Sequence, residues 1–298
     1  MESSVKGKSE ITFQIICNVV MIFLSLAAIL PFILLFMSSI TDEKALLVDG
    51  YSFFPRIFST YAYEYLFVTN RSSILRSYGT TLFVTVVGTA LSLLIAPMLA
   101  WPLSRKDYPR RKIISFFVFF TMLFNGGLVP NYIMWTQIFN VKNTIAALIF
   151  PTLLMNGFII MLLRTNFSQN IHPAFIEAAK IDGAGEIKIY QTIVMPLSRP
   201  IMATVGLMIA LGYWNDWQNG LYYITDSKLY SLQQLLNNIL KNIQALASLS
   251  TSVTVVSDMP GTGIRMAMAV IGVLPIIALY PFFQNYFIKG IALGGVKE

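Results

Sequence analysis

The sequence predicts an all-α integral membrane protein with six transmembrane helices, and three observations carry that prediction. Of the 298 residues, 56% are hydrophobic and only 12% charged, with a mean hydropathy of +0.67; a soluble domain carries about 25% charged residues to cover its surface. Six stretches, at 11–40, 77–104, 113–138, 143–164, 200–225 and 265–288, hold at most one charged residue each. A helix needs about 20 such residues to cross a hydrocarbon core about 30 Å thick. Finally, Lys and Arg gather in alternate connections, as expected of loops that resist translocation.

Each element follows from local chemistry. The first stretch comes after Lys6 and Lys8, is about twice as long as a secretory apolar region, and has no small-residue cleavage site behind it, so it reads as an anchor that stays. A long external connection, 41–76, follows. Pro31, Pro97 and Pro102 lie inside spans, where they kink a helix without ending it, because neighbours satisfy the freed carbonyls. The third stretch contains Asn125-Gly126-Gly127 and Pro130 and should break near its outer end.

The fourth stretch leads into an inside connection, 165–199, that reads as ordered. His172 to Asp182 predicts a short helix with Pro173 in its first turn, and Gly183 permits the positive φ that ends it. Ala184 to Ile193 predicts a second helix, and Pro196 a stop before the fifth stretch. Two short helices joined at a glycine make a compact knob. Beyond the fifth stretch, the external connection 226–262 holds an amphipathic helix over Ser231 to Leu240 and a small, Ser/Thr-rich loop from Ala245 to Pro260. No internal repeat stands out, and 1–298 reads as a single domain.

With the N-terminus inside and six alternating spans, 13 of the 21 basic residues fall inside, chiefly through the short run Arg105, Lys106, Arg110, Arg111 and Lys112, and both termini are cytoplasmic. The acidic residues divide evenly, so the outer side is nearly neutral. That balance suits an uncharged solute better than a strongly anionic one, and it gives the positive charge a topological role rather than a nucleic-acid one.

The single Cys17 and single His172 cannot build a disulfide framework or a multi-ligand metal centre. Gly7-Lys8-Ser9 mimics the end of a phosphate loop, but Glu2 stands where that motif needs glycine. The knob is more specific. Glu177-Ala178-Ala179, Asp182-Gly183-Ala184, and Ile193-Val194-Met195-Pro196 nine residues after Gly183-Ala184 closely resemble the EAA loop of the membrane subunits of binding-protein-dependent ABC importers. The one departure is Met195 in place of the usual Leu, a swap that conserves volume and apolarity. Tyr213-Trp214-Asn215-Asp216-Trp217 and the tail from Lys289 to Lys297 resemble stretches of the sugar-transporting branch. Within it, the chain is similar to the shorter membrane subunit, the type of the maltose importer's G subunit, and to oligosaccharide permeases of Gram-positive bacteria.

The resemblance implies a type I ABC importer permease fold in the bacterial cytoplasmic membrane, with the knob as a cytoplasmic coupling loop. It implies a heterodimer with a second homologous permease subunit, two cytoplasmic ATPase subunits that use ATP and Mg, and an external substrate-binding lipoprotein or periplasmic protein. This chain would bind no cofactor, metal or nucleic acid and carry no catalytic residue. Glu177, Ala178, Ala179, Asp182, Gly183, Ala184, Ile193 and Pro196 become the ATPase-coupling residues. By position, the loop from Ala245 to Pro260 would be the one that reaches into the binding protein.

Tyr213, Trp214, Asn215, Asp216 and Trp217 are candidates for the carbohydrate pathway or its gate, since indole faces stack on sugar rings and Asn or Asp bond hydroxyls. An aromatic belt at the outer interface is the competing reading. Asp216, an acid within a span, should face a cavity, a partner or the interface. Two rivals to the importer stand: an ion-coupled secondary transporter, for which Asp216 is the only intramembrane acid, and a membrane-embedded enzyme, for which His172 is on the wrong side.

Overall fold

The structure, a computed structural model, describes residues 8–249 and 261–295. It is helical throughout, with one isolated antiparallel bridge between Thr41 and Phe58 among the described residues. The chain divides into two compact units, 1–71 with 239–274, and 72–238 with 275–298.

In the first unit, α1 (Lys8–Ser39) covers the first apolar stretch, with Pro31 inside it and residues such as Phe13, Val20 and Phe23 exposed along its length. Its end is pinned by Ser39 Oγ, 2.7 Å from the Tyr63 hydroxyl. The following connection is folded into helices: α2 (Glu43–Asp49), capped by Asp42, and α3 (Tyr61–Glu64), which runs into a π turn over Tyr65–Thr69. The Glu43 carboxylate accepts from the amides of Thr262 at 2.7 Å and Gly263 at 2.8 Å, so it caps the chain's last helix.

In the second unit, α4 (Arg71–Ser104) begins six residues before the stretch predicted at 77–104, its first residue belonging to the other unit. The third stretch is broken as expected: α5 (Arg111–Leu123) and α6 (Leu128–Ile133), continued by a π turn over Met134–Ile138, lie at 112°. Asn125 Oδ1 accepts from the Gly127 amide at 2.9 Å, and Gly127 sits at φ +88°, which only glycine adopts freely. The fourth stretch is not one helix. It divides into α7 (Ala146–Ile149) and α8 (Gly157–Asn170) around Pro151, with Asn156 capping α8 through the Phe158 amide at 2.9 Å. Helix α8 also extends six residues into the segment expected as connection.

Then follow α9 (Pro173–Ile181), α10 (Glu186–Ile189), a π turn over Tyr190–Val194, α11 (Met195–Leu197) and α12 (Arg199–Trp214). The stop expected at Pro196 falls one residue beyond it: the helix ends at Leu197, and α12 starts at Arg199 across a bend of 81°. A wide turn precedes the proline, whose missing amide would otherwise have bonded the carbonyl of Thr192. The fifth stretch ends in α13 (Gln218–Tyr223), separated from α12 by Asn215 to Trp217.

Helix α14 (Leu232–Leu249) is longer than the predicted amphipathic segment, so Ala245 to Leu249 are helix rather than loop. The rest of the proposed loop, 250–260, lies outside the described residues. Helix α15 (Thr262–Gly295) contains the sixth stretch; Val296 and Lys297 of the tail lie outside the described residues. Among the described residues, α1 and α4 are each long and apolar enough to cross a membrane; the two bent pairs, α5 with α6 and α10–α11 with α12, satisfy the same criterion when each is taken together.

Close packing in the second unit depends on Gly88 of α4. The fully buried Tyr213 of α12 passes so near that a Cβ on Gly88 would sit 2.4–2.7 Å from its ring carbons. Gly88→Ala should therefore destabilise the fold by about 1–3 kcal/mol, the usual cost of overpacking, and lower the thermal midpoint in detergent. Gly79→Ala, on the same helix with nothing within 4 Å of the added methyl, should not lower that midpoint, since alanine is the better helix former.

Candidate functional site

The knob, 172–198, is built by capping chemistry. His172 caps α9, its Nδ1 accepting from the Ala174 amide at 3.3 Å, and Pro173 occupies the first turn, where no amide donor is missed. At the other end Ala184 N–H donates to Ala179 C=O at 2.9 Å and Gly183 N–H to Lys180 C=O at 3.0 Å. These two bonds are the Schellman closure of a helix, and they require the left-handed φ of +76° found at Gly183. The Ala-Ala and Gly-Ala parts of the motif are thus the two halves of one turn.

The structure divides the eight motif residues between two faces. Ala179, Ala184 and Ile193 are half-buried against the core of the second unit, and their neighbours Ile189 and Val194 are fully buried. Glu177, Ala178, Asp182, Gly183 and Pro196 are exposed. Beside them stand large apolar side chains that the described residues leave exposed: Phe175, Ile181 at 86% exposure and Ile187 at 75%. So one set anchors the knob and the other presents it.

A group absent from the sequence-level candidates fastens it. Arg105, the residue after α4, forms a bidentate pair with Asp107, and its Nη1 reaches Glu186 Oε2 of α10 at 2.5 Å. Lys180 of α9 lies 3.3 Å from Glu186 and 3.7 Å from Asp107. The guanidinium also lies over the Trp101 ring, 5.5 Å from its centre. Hydrogen bonding to Arg105 holds the Asp107 carboxyl below the usual carboxylate range, and the same bonds hold Arg105 above its ordinary value. An acid held low contributes stability above its unfolded pKa and loses it as pH falls through the folded one, so the network is intact at neutral pH and lost only in acid. Next to it a cavity of about 580 Å³ opens between Trp101, Arg111, Arg164, Phe167, Ile176 and Glu177. Residue type and spacing could not reveal these pairs, because Arg105 and Glu186 are 81 positions apart.

The aromatic cluster is divided as well. Tyr213 is fully buried, its hydroxyl donating to Ile149 C=O at 3.0 Å, and Trp214 is buried with its ring 6.3 Å from that of Tyr78. Asn215 and Trp217 are exposed. Asp216 Oδ1 accepts from the amides of Gln218 at 3.1 Å and Asn219 at 3.2 Å, so it caps α13.

No family model matches the chain. Two curated proteins of Bacillus subtilis (strain 168) match almost all of it. One, named Protein LplC, is 36% identical over 95% of this chain and 94% of its own. The other, a polygalacturonan/rhamnogalacturonan transport system permease protein, YtcP, is 36% identical over 92% of this chain and 94% of its own. The chain belongs to the family of carbohydrate ABC importer permeases. A solved structure of a bacterial ABC transporter that imports the acidic polysaccharide alginate contains a chain that matches this permease with a TM-score of 0.75 and 27% identity, over 96% of this chain and 100% of that one. This agrees with the fold that the EAA-like segment implied, and it places the permease among transport subunits rather than with the secondary transporters or enzymes.

Because nothing crowds a Cβ at Gly183, the cost of Gly183→Ala is that of φ alone, roughly 1–2 kcal/mol. Amide exchange at Ala184 should accelerate about tenfold, while Gly183→Asn, which tolerates this region, should stay close to the parent.

Proposed function

We propose that this chain is one of two homologous membrane subunits, each crossing the bacterial cytoplasmic membrane six times with both termini inside, through which an oligosaccharide is imported at the expense of ATP. Two cytoplasmic ATPase subunits would bind and hydrolyse ATP with Mg, and an external binding protein would deliver the sugar. The observation that carries the reading is the knob: an exposed apolar surface of Phe175, Ile181 and Ile187 around Glu177 and Ala178, on a turn held by the Gly183 closure.

Such a surface is suited to a socket on a soluble partner. Glu177 offers a charge-assisted contact to a basic group or helix N-terminus of the ATPase, and Ala178 lets the partner approach closely. Closure of the ATPase dimer would displace the knob, and α10–α11 would pass that displacement through the 81° bend into α12. On the opposite end of α12, Asn215 and Trp217 are the cluster members accessible to a sugar; Tyr213, Trp214 and Asp216 serve as packing and cap.

The oligosaccharide assignment is supported by a melibiose/raffinose/stachyose import permease of Bacillus subtilis, 27% identical over 76% of this chain, and the wider carbohydrate assignment by the polygalacturonan/rhamnogalacturonan permease. The solved relative belongs to a transporter involved in the import of an acidic polysaccharide, which puts acidic saccharides beside neutral ones as cargoes to test.

In membrane vesicles, uptake should collapse when ATP is depleted and survive an uncoupler; the reverse pattern would mean ion coupling. Glu177→Lys should insert normally yet recover at least about tenfold less ATPase on purification, the loss expected when a buried charge contact is reversed. Wild-type recovery would remove Glu177 from the docking surface.

A further inference from the structure

We propose that Arg105 is a positioning residue that locks the knob to the end of α4, so that displacement of the knob reaches α4 as well as α12. The proposal rests on the ATPase-coupled reading above and adds a second route of transmission to it.

Covalently, the knob continues only into α8 and α12. Helix α4 ends at Ser104 and is joined to the knob through the charged cluster that begins at the next residue. Three segments meet there: the loop after α4 supplies Arg105 and Asp107, α9 supplies Lys180, and α10 supplies Glu186. Isolated exposed ion pairs contribute little because two long side chains must be ordered in water. This cluster differs in its hub. The Arg105 side chain is only 10% exposed, lies over Trp101, and uses its planar fork to hold two carboxylates from two segments at once. Lysine, a point charge, could not make the bidentate bond to Asp107 and hold Glu186 as well.

The geometry also fixes how the members depend on one another. Without Arg105, Asp107 and Glu186 share only Lys180 and their like charges push the segments apart; without Glu186, Arg105 keeps Asp107 but loses α10. Either loss severs the same link, so the effects should not add.

The test uses the full complex with its ATPase subunits, Cys17 replaced by Ser, and spin labels on cysteines introduced at the exposed positions Lys106 and Lys188, neither of which belongs to the apolar docking set. The label-to-label distance should be single and narrow, and the same with and without nucleotide trapped by vanadate, because loop and knob move as one body. Arg105→Gln, Glu186→Gln and the double variant should each broaden it roughly twofold, to the same extent, while ATPase recovery stays within about twofold of wild type. Arg105→Lys should narrow it only in part. If Arg105→Gln fails to assemble, Glu186→Gln, at an exposed acid, carries the test alone. Unchanged distances in Glu186→Gln, or broadening that adds in the double variant, would overturn the proposal and leave the importer reading intact. A wild-type complex that retains no ATPase would overturn both.

Discussion

Hydrocarbon offers no partner to a peptide group, and most features of this permease follow from that constraint. Helices satisfy their own backbones, but each interruption exposes donors that the chain must satisfy itself. It does so with short polar side chains at the breaks: Asn125 on the Gly127 amide, Asn156 on the Phe158 amide, and Asp216 on Gln218 and Asn219. Asn143, at φ +56°, accepts from the amides of Thr225 at 2.6 Å and Asp226 at 3.1 Å and so joins two connections. The same constraint drives charge out of the spans, and the few charged residues are concentrated where they can meet one another.

That concentration produces the knob. Its turn is fixed from within by the Gly183 closure and from outside by Arg105, Asp107, Lys180 and Glu186, while Ile189 and Val194 are buried in the core. What remains exposed is an apolar surface next to two acids, Glu177 and Asp182. Rigidity is what a transmission element needs, because a knob that yielded would absorb the displacement instead of passing it on.

The parts that were legible in the sequence are those set by local chemistry. A charge-free stretch of 30 residues has few alternatives to α1, and Pro173 and Gly183 mark the ends of α9 because capping is decided within a turn. The division of the fourth stretch was hidden: Pro151 and Asn156-Gly157 were present, but the surrounding apolar run masked them. Pro196 marked the break before α12 to within a residue, but the π turn ahead of it left no signal. Grouping Tyr213 with the exposed Trp217 ignored Gly88, whose missing side chain, 125 positions away, decides that Tyr213 is buried. The Arg105 cluster joins positions too distant to leave any pattern, so charge sorting gave it a topological role and missed its structural one.

The central claim is that the exposed face of the knob is the surface through which ATP hydrolysis acts on this permease. A photo-crosslinking residue placed at Ile181, 86% exposed on that face, tests it most directly, with Trp217 as the control position. The account predicts an adduct between position 181 and the ATPase subunit, and none with the ATPase from position 217. The absence of an adduct at 181 in an assembled, ATP-hydrolysing complex, or an ATPase adduct from 217 instead, would contradict it.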